Sequence, residues 1–344
     1  MTLDELLRGD PAPRLAAEGS LRDVLQWAAA QGSLAPSELN SQPWLFHGAL
    51  SSDGRSGTLD LLLDESRSLP SVDPTGREAL LGCGAALLNV RLALRGAAVG
   101  THVSLAPDVT RPDLLARITV GGQSTEAPED RPLRLAVAER KTHRGAFLPG
   151  TVPADVRDRL VAEAAYEGAC VDVLDERAQR RLADLNAEAE RLLWADGPFR
   201  REVASWTGRR RSGSSQDLKA WQAWSEPAQE LDAPPTPEAR PEPLVVVVSS
   251  VSDSRAALLR AGCGLQRLLL VARTLGLSAG FLDAALHVEA LRATVTRELG
   301  IDHPQVVLRI GYAAGRSSAP GHPGRKALAL KDLTRPGTFD PSGS

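Results

Sequence analysis

"REALLGCGAALLNVRLALR" at 77–95 and "RAALLRAGCGLQRLLLVAR" at 255–273 align without a gap, and this pair frames the whole chain. Arg77 matches Arg255, Leu80 and Leu81 match Leu258 and Leu259, Gly84 matches Gly262, Leu87 matches Leu265, and Arg95 matches Arg273. Each stretch is apolar nearly all round, the pattern of a helix covered on most sides. The matched glycines carry the most information. A glycine inside a helix costs about 1 kcal/mol relative to alanine, a cost tolerable where two helices must approach closely. Two helices crossing at Gly84 and Gly262 would build the core of a pseudo-twofold molecule.

Outward from the first helix, roughly the first 30 residues read as helix, with Leu21, Val24, Leu25 and Ala28 at helical spacing. "WLFHGAL" and "LDLLLD" are strand-like runs joined by "SSDGRSG", a hairpin pattern. "LLARITVGG" reads as a short helix end and a strand. Around the second helix, "LRLAVAERK" reads as a strand or a helix end. Residues 153–166 read as a helix, "ACVDVLD" as a strand, 178–194 as an amphipathic helix and "LVVVVSSV" as a buried strand. "FLDAAL" reads as a loop, 288–299 as a helix and "QVVLRIGY" as a last buried strand.

A different stretch lies at about 205–243. It is rich in proline and serine yet carries Trp206, Trp221 and Trp224. It reads either as a lid that folds aromatics over a site or as an insertion without a fold of its own.

Composition narrows the function classes. The chain has 344 residues, 42% of them hydrophobic and 24% charged, enough for two domains or one large one. A net charge of −3 gives no case for nucleic acid as a partner. "MTLDELLRGDPAPRL" lacks the apolar core of a signal peptide, and no unbroken apolar run reaches the length of a membrane span. Together with three scattered cysteines, expected to be buried free thiols, this points to a cytoplasmic protein. Those cysteines and six histidines show no metal-ligand spacing, so no metal site is expected.

Two stretches carry chemistry. "PSELNSQPW" (36–44) sets amides beside a large aromatic. It suits a flat, partly polar ligand, or forms a turn leading into the next strand. "ERKTHRGAF" (139–147) places Arg140, Thr142 and Arg144 at alternate positions. Two guanidiniums flanking a hydroxyl match a phosphate, though a solvated basic loop has the same composition. Arg325 and Lys326, in a Pro/Gly loop after the final strand, would complete that clamp or solvate a tail.

Together "PSELNSQPW", "RKTHRGAF" and "LGLSAGFLDAAL", with the tail after "VVLRIGY", resemble the FMN-dependent nitroreductase superfamily. The closer resemblance is to its long actinobacterial branch, the Acg-like nitroreductases, and it spans roughly 20–330. It implies an α+β fold of nitroreductase type, duplicated in one chain as a pseudo-dimer, with central mixed sheets packed against long apolar helices. The halves would be 1–128, holding the PS-x-x-N-x-QPW loop, and 129–344, holding the RK-x-x-R loop and the insert at 205–243. In ordinary nitroreductases one subunit supplies an Arg-rich phosphate loop and its partner the PS-x-x-N-x-QPW loop. Here each is present once, so one flavin site would be intact and the other lost, and the chain would be monomeric.

Carried over by position, Arg140, Thr142 and Arg144 would hold the phosphate and ribityl of FMN, helped by Arg325 and Lys326. Ser37, Asn40 and Gln42 would reach the cofactor from the other half, with Pro36 shaping the loop. Glu38, an anion near a phosphate-bearing ligand, is expected to point away. His143 stands where the closer branch tends to have asparagine. Backbone N–H groups of Leu282, Asp283 and Ala284 would face the isoalloxazine edge. The implied activity is an oxidoreductase that passes hydride or electrons from reduced FMN to a small organic acceptor, with NAD(P)H as reductant by resemblance alone. No acid, base or nucleophile is assigned. A flavin-sequestering protein with a closed lid, or an FMN-dependent oxidase of a natural-product intermediate, are the alternative readings.

Overall fold

Ser20 and Asp23 set the first boundary. The Ser20 hydroxyl accepts from the Asp23 N–H, and the Asp23 carboxylate accepts from the Ser20 N–H, each at 3.2 Å. This reciprocal cap restarts the chain as a new helix. Among the described residues the helical N-terminal region is therefore two helices, α1 (Ala12–Glu18) and α2 (Leu21–Gly32). The structure, a computed structural model, describes residues 10–208 and 241–313.

The expected hairpin forms from β1 (Trp44–Leu50) and β2 (Ser56–Leu63), and α3 (Arg77–Gly96) follows it. β3 (Val99–Leu105) and β4 (Leu114–Gln123) complete an antiparallel sheet of order β1-β2-β4-β3. Residues 114–123 are strand throughout, with no helix end, because their inward and outward residues alternate at period two. β3 was not foreseen. It lies at the sheet edge and has no fully buried residue, so its sequence lacks the clear alternation of a half-buried strand. α4 (Asp130–Glu139) resolves "LRLAVAE" as helix, burying Leu133, Ala136 and Val137 on one face.

The second half runs through β5 (Gly150–Thr151), α5 (Ala154–Tyr166), β6 (Cys170–Val173), α6 (Glu176–Ala195) and α7 (Gly197–Gly208). It continues with β7 (Pro241–Glu242), β8 (Leu244–Ser249), α8 (Arg255–Thr274), β9 (Ser278–Phe281), α9 (Ala284–His287), α10 (Glu289–Leu299) and β10 (Pro304–Gly311). Its sheet has the order β6-β8-β10-β9, so first, second, fourth and third strands succeed one another as in the first sheet. Both four-stranded sheets are antiparallel. Among the described residues the mixed character expected of them is confined to the parallel β5–β7 pair and a parallel bridge between Thr142 and Ala279. "FLDAAL" is the end of β9 and the start of the one-turn α9. Cys83 and Cys263 are buried as expected, but Cys170, on β6, is exposed. Trp206 stands on α7; residues 209–240 of the expected lid, with Trp221 and Trp224, lie outside the described residues, as do Arg325 and Lys326.

The halves join through α3 and α8. A Cβ on Gly84 would stand 2.2 Å from the Leu259 carbonyl oxygen, and one on Gly262 would stand 2.2 Å from that of Leu81. Only glycine fits at either place. The buried Gln266 amide donates to Asn89 Oδ1 at 2.8 Å across the same helix pair. One apolar core runs through both halves, and a second joins β8 and β10 to α6, α9 and α10. The arginines matched in sequence reach across reciprocally. Arg255 donates to the Pro112 carbonyl at 2.5 Å, and Arg77 donates to the carbonyls of Gln305 and Leu286. Among the described residues α3 alone is long and apolar enough to cross a membrane, and most of it is buried inside the fold.

Candidate functional site

The 36–44 loop is held in a conformation its residues disfavour. Leu39, Asn40 and Gln42 have φ of 47°, 53° and 53°, the left-handed region. Such residues cost of order 1–3 kcal/mol each and persist only where the surroundings fix them. Here the fixing is visible. Asn40 N–H donates to Ser37 O at 3.0 Å, Ser41 N–H to Glu38 O at 2.8 Å, and Gln42 N–H to Ser37 Oγ at 3.0 Å. Arg67 donates to Ser41 O at 2.6 Å. From below, α3 supports the loop at Gly82, where a Cβ would lie 3.3 Å from Pro36 O and 3.4 Å from Ser37 Cβ.

These bonds sort the expected ligand residues. Gln42 is buried and spends its amide on Asn40 O at 3.2 Å, so it shapes the loop. Ser37 does likewise through its acceptor oxygen. Asn40 is half-buried, and no hydrogen bond to its side-chain amide is found among the described residues.

The 140–147 loop leaves α4 and lies against β9. His143 N–H donates to Ala279 O at 2.8 Å, and Gly280 passes so close that a Cβ there would stand 2.5 Å from His143 O. Arg140 turns inward. Its side chain is buried, its Nε has no hydrogen-bond partner, and burial pulls its pKa down to about 10. Thr142 is half-buried beside Ala279, while Arg144 is exposed. The three side chains expected on one face therefore differ in depth. His143 packs its ring 4.7 Å from that of Phe147 and sets Nε2 3.0 Å from Ala146 O.

Asn186 on α6 positions the 282–285 segment. Its amide donates to Leu282 O at 3.2 Å and accepts from Ala285 N–H at 2.8 Å. The Leu282 N–H is already committed to Val307 O at 2.9 Å, so it cannot serve as the donor expected of it.

Where the first loop meets this segment, the sequence reading missed a group of charges. Glu38 faces Asp73, Glu78, Asp283 and His287, and desolvation pushes its carboxyl up to about 7. It points into the junction. Desolvation also raises Asp73, Glu78 and Asp283. Burial opposes charge on His287, but Glu38, Asp283 and Glu78 together outweigh it and hold the imidazole above its ordinary value. Arg77 binds Glu78 at 2.5 Å. Each member alone reads as an ordinary polar residue; the i,i+4 spacing of Asp283 and His287 was the one usable signal.

A cavity of about 60 Å³ lies under the loop, lined in part by Glu38, Ser41, Arg67 and Asp73. A larger one of about 520 Å³ lies elsewhere, among Arg95, Asp130, Arg159, Tyr166 and Arg267, and no expected site residue lines it.

No family model matches the chain. Acg of Mycobacterium tuberculosis, which carries the provisional name NAD(P)H nitroreductase, is 29% identical over 312 residues, covering 87% of this chain and 92% of Acg. Another protein of that organism with the same provisional name is 29% identical over 297 residues, covering 81% of this chain and 82% of its own. A solved structure from Anabaena variabilis, provisionally titled a nitroreductase, superposes with a TM-score of 0.51 at 12% identity, covering 90% of this chain and 91% of that one. Over most of its length the chain is similar to the nitroreductases of the Acg-like branch, and its fold is that of the nitroreductase superfamily.

Proposed function

We propose that the chain is an FMN-dependent oxidoreductase with one cofactor site, built between the halves 1–128 and 129–344. The observation that carries this reading is Arg140. A buried guanidinium with an unpartnered Nε is costly unless an anion meets it, and a phosphate supplies that anion. Thr142 and Arg144 follow on the same loop, and Arg325 and Lys326 are the further cations assigned to it. Pro36, Ser37, Asn40 and Gln42 form the facing loop, strained and fixed as ligand loops are. Asp283 and Ala284 retain the donor role toward the flavin edge that Leu282 cannot fill.

FMN bound here would supply the hydride chemistry, and the chain's residues would bind and orient it. The relatives' names make a reduced nicotinamide the first reductant to try. With the subunit interface internal, the protein should be monomeric.

A second reading is sequestration of the flavin with little turnover. It is favoured by Trp206, which packs with Leu39 of the strained loop against one apolar cluster around Phe199 and Val203, so α7 covers that loop. A visible spectrum of the purified protein, followed by anaerobic NADPH, tests both. A yellow protein releasing FMN that bleaches supports the reductase, and one that stays yellow supports sequestration. A colourless protein unable to take up FMN would remove both readings.

A further inference from the structure

We propose that Glu78, Asp283 and His287 form a binding site for one divalent first-row transition ion, stapling α3 of the first half to α9 of the second. One ligand atom from each side chain lies within 4.8 Å of the others. Ligands about 2.0–2.2 Å from a common ion stand roughly 3–4 Å apart, so small rotamer shifts close the site. The Asp283 and His287 side chains are 5% and 4% exposed.

His287 supplies the independent indication of a ligand. Its Nδ1 lies 3.1 Å from Val72 O, which places the ring proton on Nδ1. That is the outer hydrogen bond by which a metal-binding imidazole is usually oriented. Nε2 faces Asp283 Oδ1 at 3.9 Å, too far for a hydrogen bond. In the ion-free chain a proton on the imidazole serves that gap; a metal ion displaces it and takes up the Nε2 lone pair. Asp283 accepts no hydrogen bond from the side chain of any other described residue, whereas Arg77 anchors Glu78 through Oε1 at 2.5 Å and leaves its second oxygen for a ligand.

Charge agrees with geometry. Two carboxyl groups and one imidazole, with Glu78 bound by the guanidinium of Arg77, form a ligand set that carries two negative charges once it is deprotonated for a metal ion. A divalent ion balances that charge. One imidazole with carboxylates selects Mn²⁺, Fe²⁺, Co²⁺ or Zn²⁺ over Mg²⁺ and Ca²⁺, which prefer oxygen throughout. The site uses the Asp283 carboxylate, not the backbone N–H assigned to the flavin edge, so it stands whether or not FMN binds.

The test uses the full chain, stripped with a chelator and titrated calorimetrically with Zn²⁺, Co²⁺ and Mg²⁺, with thermal melting in parallel. One equivalent of Zn²⁺ and Co²⁺ should bind at micromolar concentration or tighter and raise Tm, and Mg²⁺ should bind at least 10-fold more weakly. His287→Gln and Asp283→Asn should each weaken Zn²⁺ at least 10-fold. His303→Gln, at an exposed histidine 3.0 Å from Asp253, should leave binding unchanged. If His287→Gln does not fold, the EPR spectrum of the Cu²⁺-loaded native chain should show nitrogen hyperfine coupling from one imidazole. Absence of that coupling, Zn²⁺ binding only above millimolar, equal affinity for Mg²⁺, or loss of binding in His303→Gln alone would overturn the site. Flavin content is read separately from visible absorbance, so failure here leaves the flavin reading untouched.

Discussion

Gly84 and Gly262 meet backbone to backbone: a Cβ on Gly84 would stand 2.9 Å from the Gly262 Cα, and one on Gly262 would stand 3.0 Å from the Gly84 Cα. Alanine at either position should gain about 1 kcal/mol of helix propensity and still lose stability. The obstructing atoms are main-chain carbonyls of Leu259 and Leu81, which cannot rotate away. A net loss of about 1–3 kcal/mol, measured by urea unfolding, is expected for each. A more stable Gly84→Ala would mean that the helices do not cross there.

The left-handed φ of 53° at Asn40 permits a paired test. Glycine adopts that region freely and alanine does not. Asn40→Ala should therefore be about 1–2 kcal/mol less stable than Asn40→Gly. Both variants lack the amide, so both should lose FMN affinity if Asn40 touches the cofactor. Equal stability would deny the strain, and unchanged FMN affinity would remove Asn40 from the site.

The paired glycines and the two loops were readable because each carries its constraint locally. A helical glycine at matched positions implies close approach, and a dense run of amides and prolines implies a shaped loop. The junction charges were not readable. Glu38, Glu78 and Asp283 lie far apart in sequence, and only the docking of β9 and α9 onto the first half removes them from water. Glu38 was expected to point away from a phosphate-bearing ligand, and that expectation carried no hint of the acidic neighbours and the His287 that it meets. Alternation likewise failed at β3, whose residues are exposed or half-buried on both faces.

Stability should fall as pH rises through neutrality. Glu38 has its pKa raised from 4.5 to about 7 in the folded chain. The folded state thus keeps a proton that the unfolded state has released, and the stability it contributes is fully present below about pH 4.5 and lost as pH rises through 7. Asp73, Glu78, Asp283 and His287 are also raised, so all five act in the same sense. In chelator, urea midpoints from about pH 5 to pH 8 should decline, and Glu38→Gln should flatten the decline. Parallel curves for the two proteins would show that Glu38 is ordinarily charged in the folded state.

Arg140 should separate folding from binding. Without an anion its buried Nε has no partner, and desolvation alone lowers its pKa to about 10. Arg140→Met keeps much of the volume and removes the charge. The ligand-free variant should be more stable by about 1 kcal/mol or more, since a desolvated charge has been taken away. FMN affinity should fall by about 10–100-fold, the loss of one charge-assisted hydrogen bond to phosphate. Arg140→Lys keeps the charge but loses the planar fork, so it should bind FMN more weakly than the native chain without the gain in stability. The opposite movement of stability and affinity is what marks a residue kept for a ligand. If Arg140→Met lost both together, the guanidinium would be a structural element of the loop and the phosphate would have to be held elsewhere.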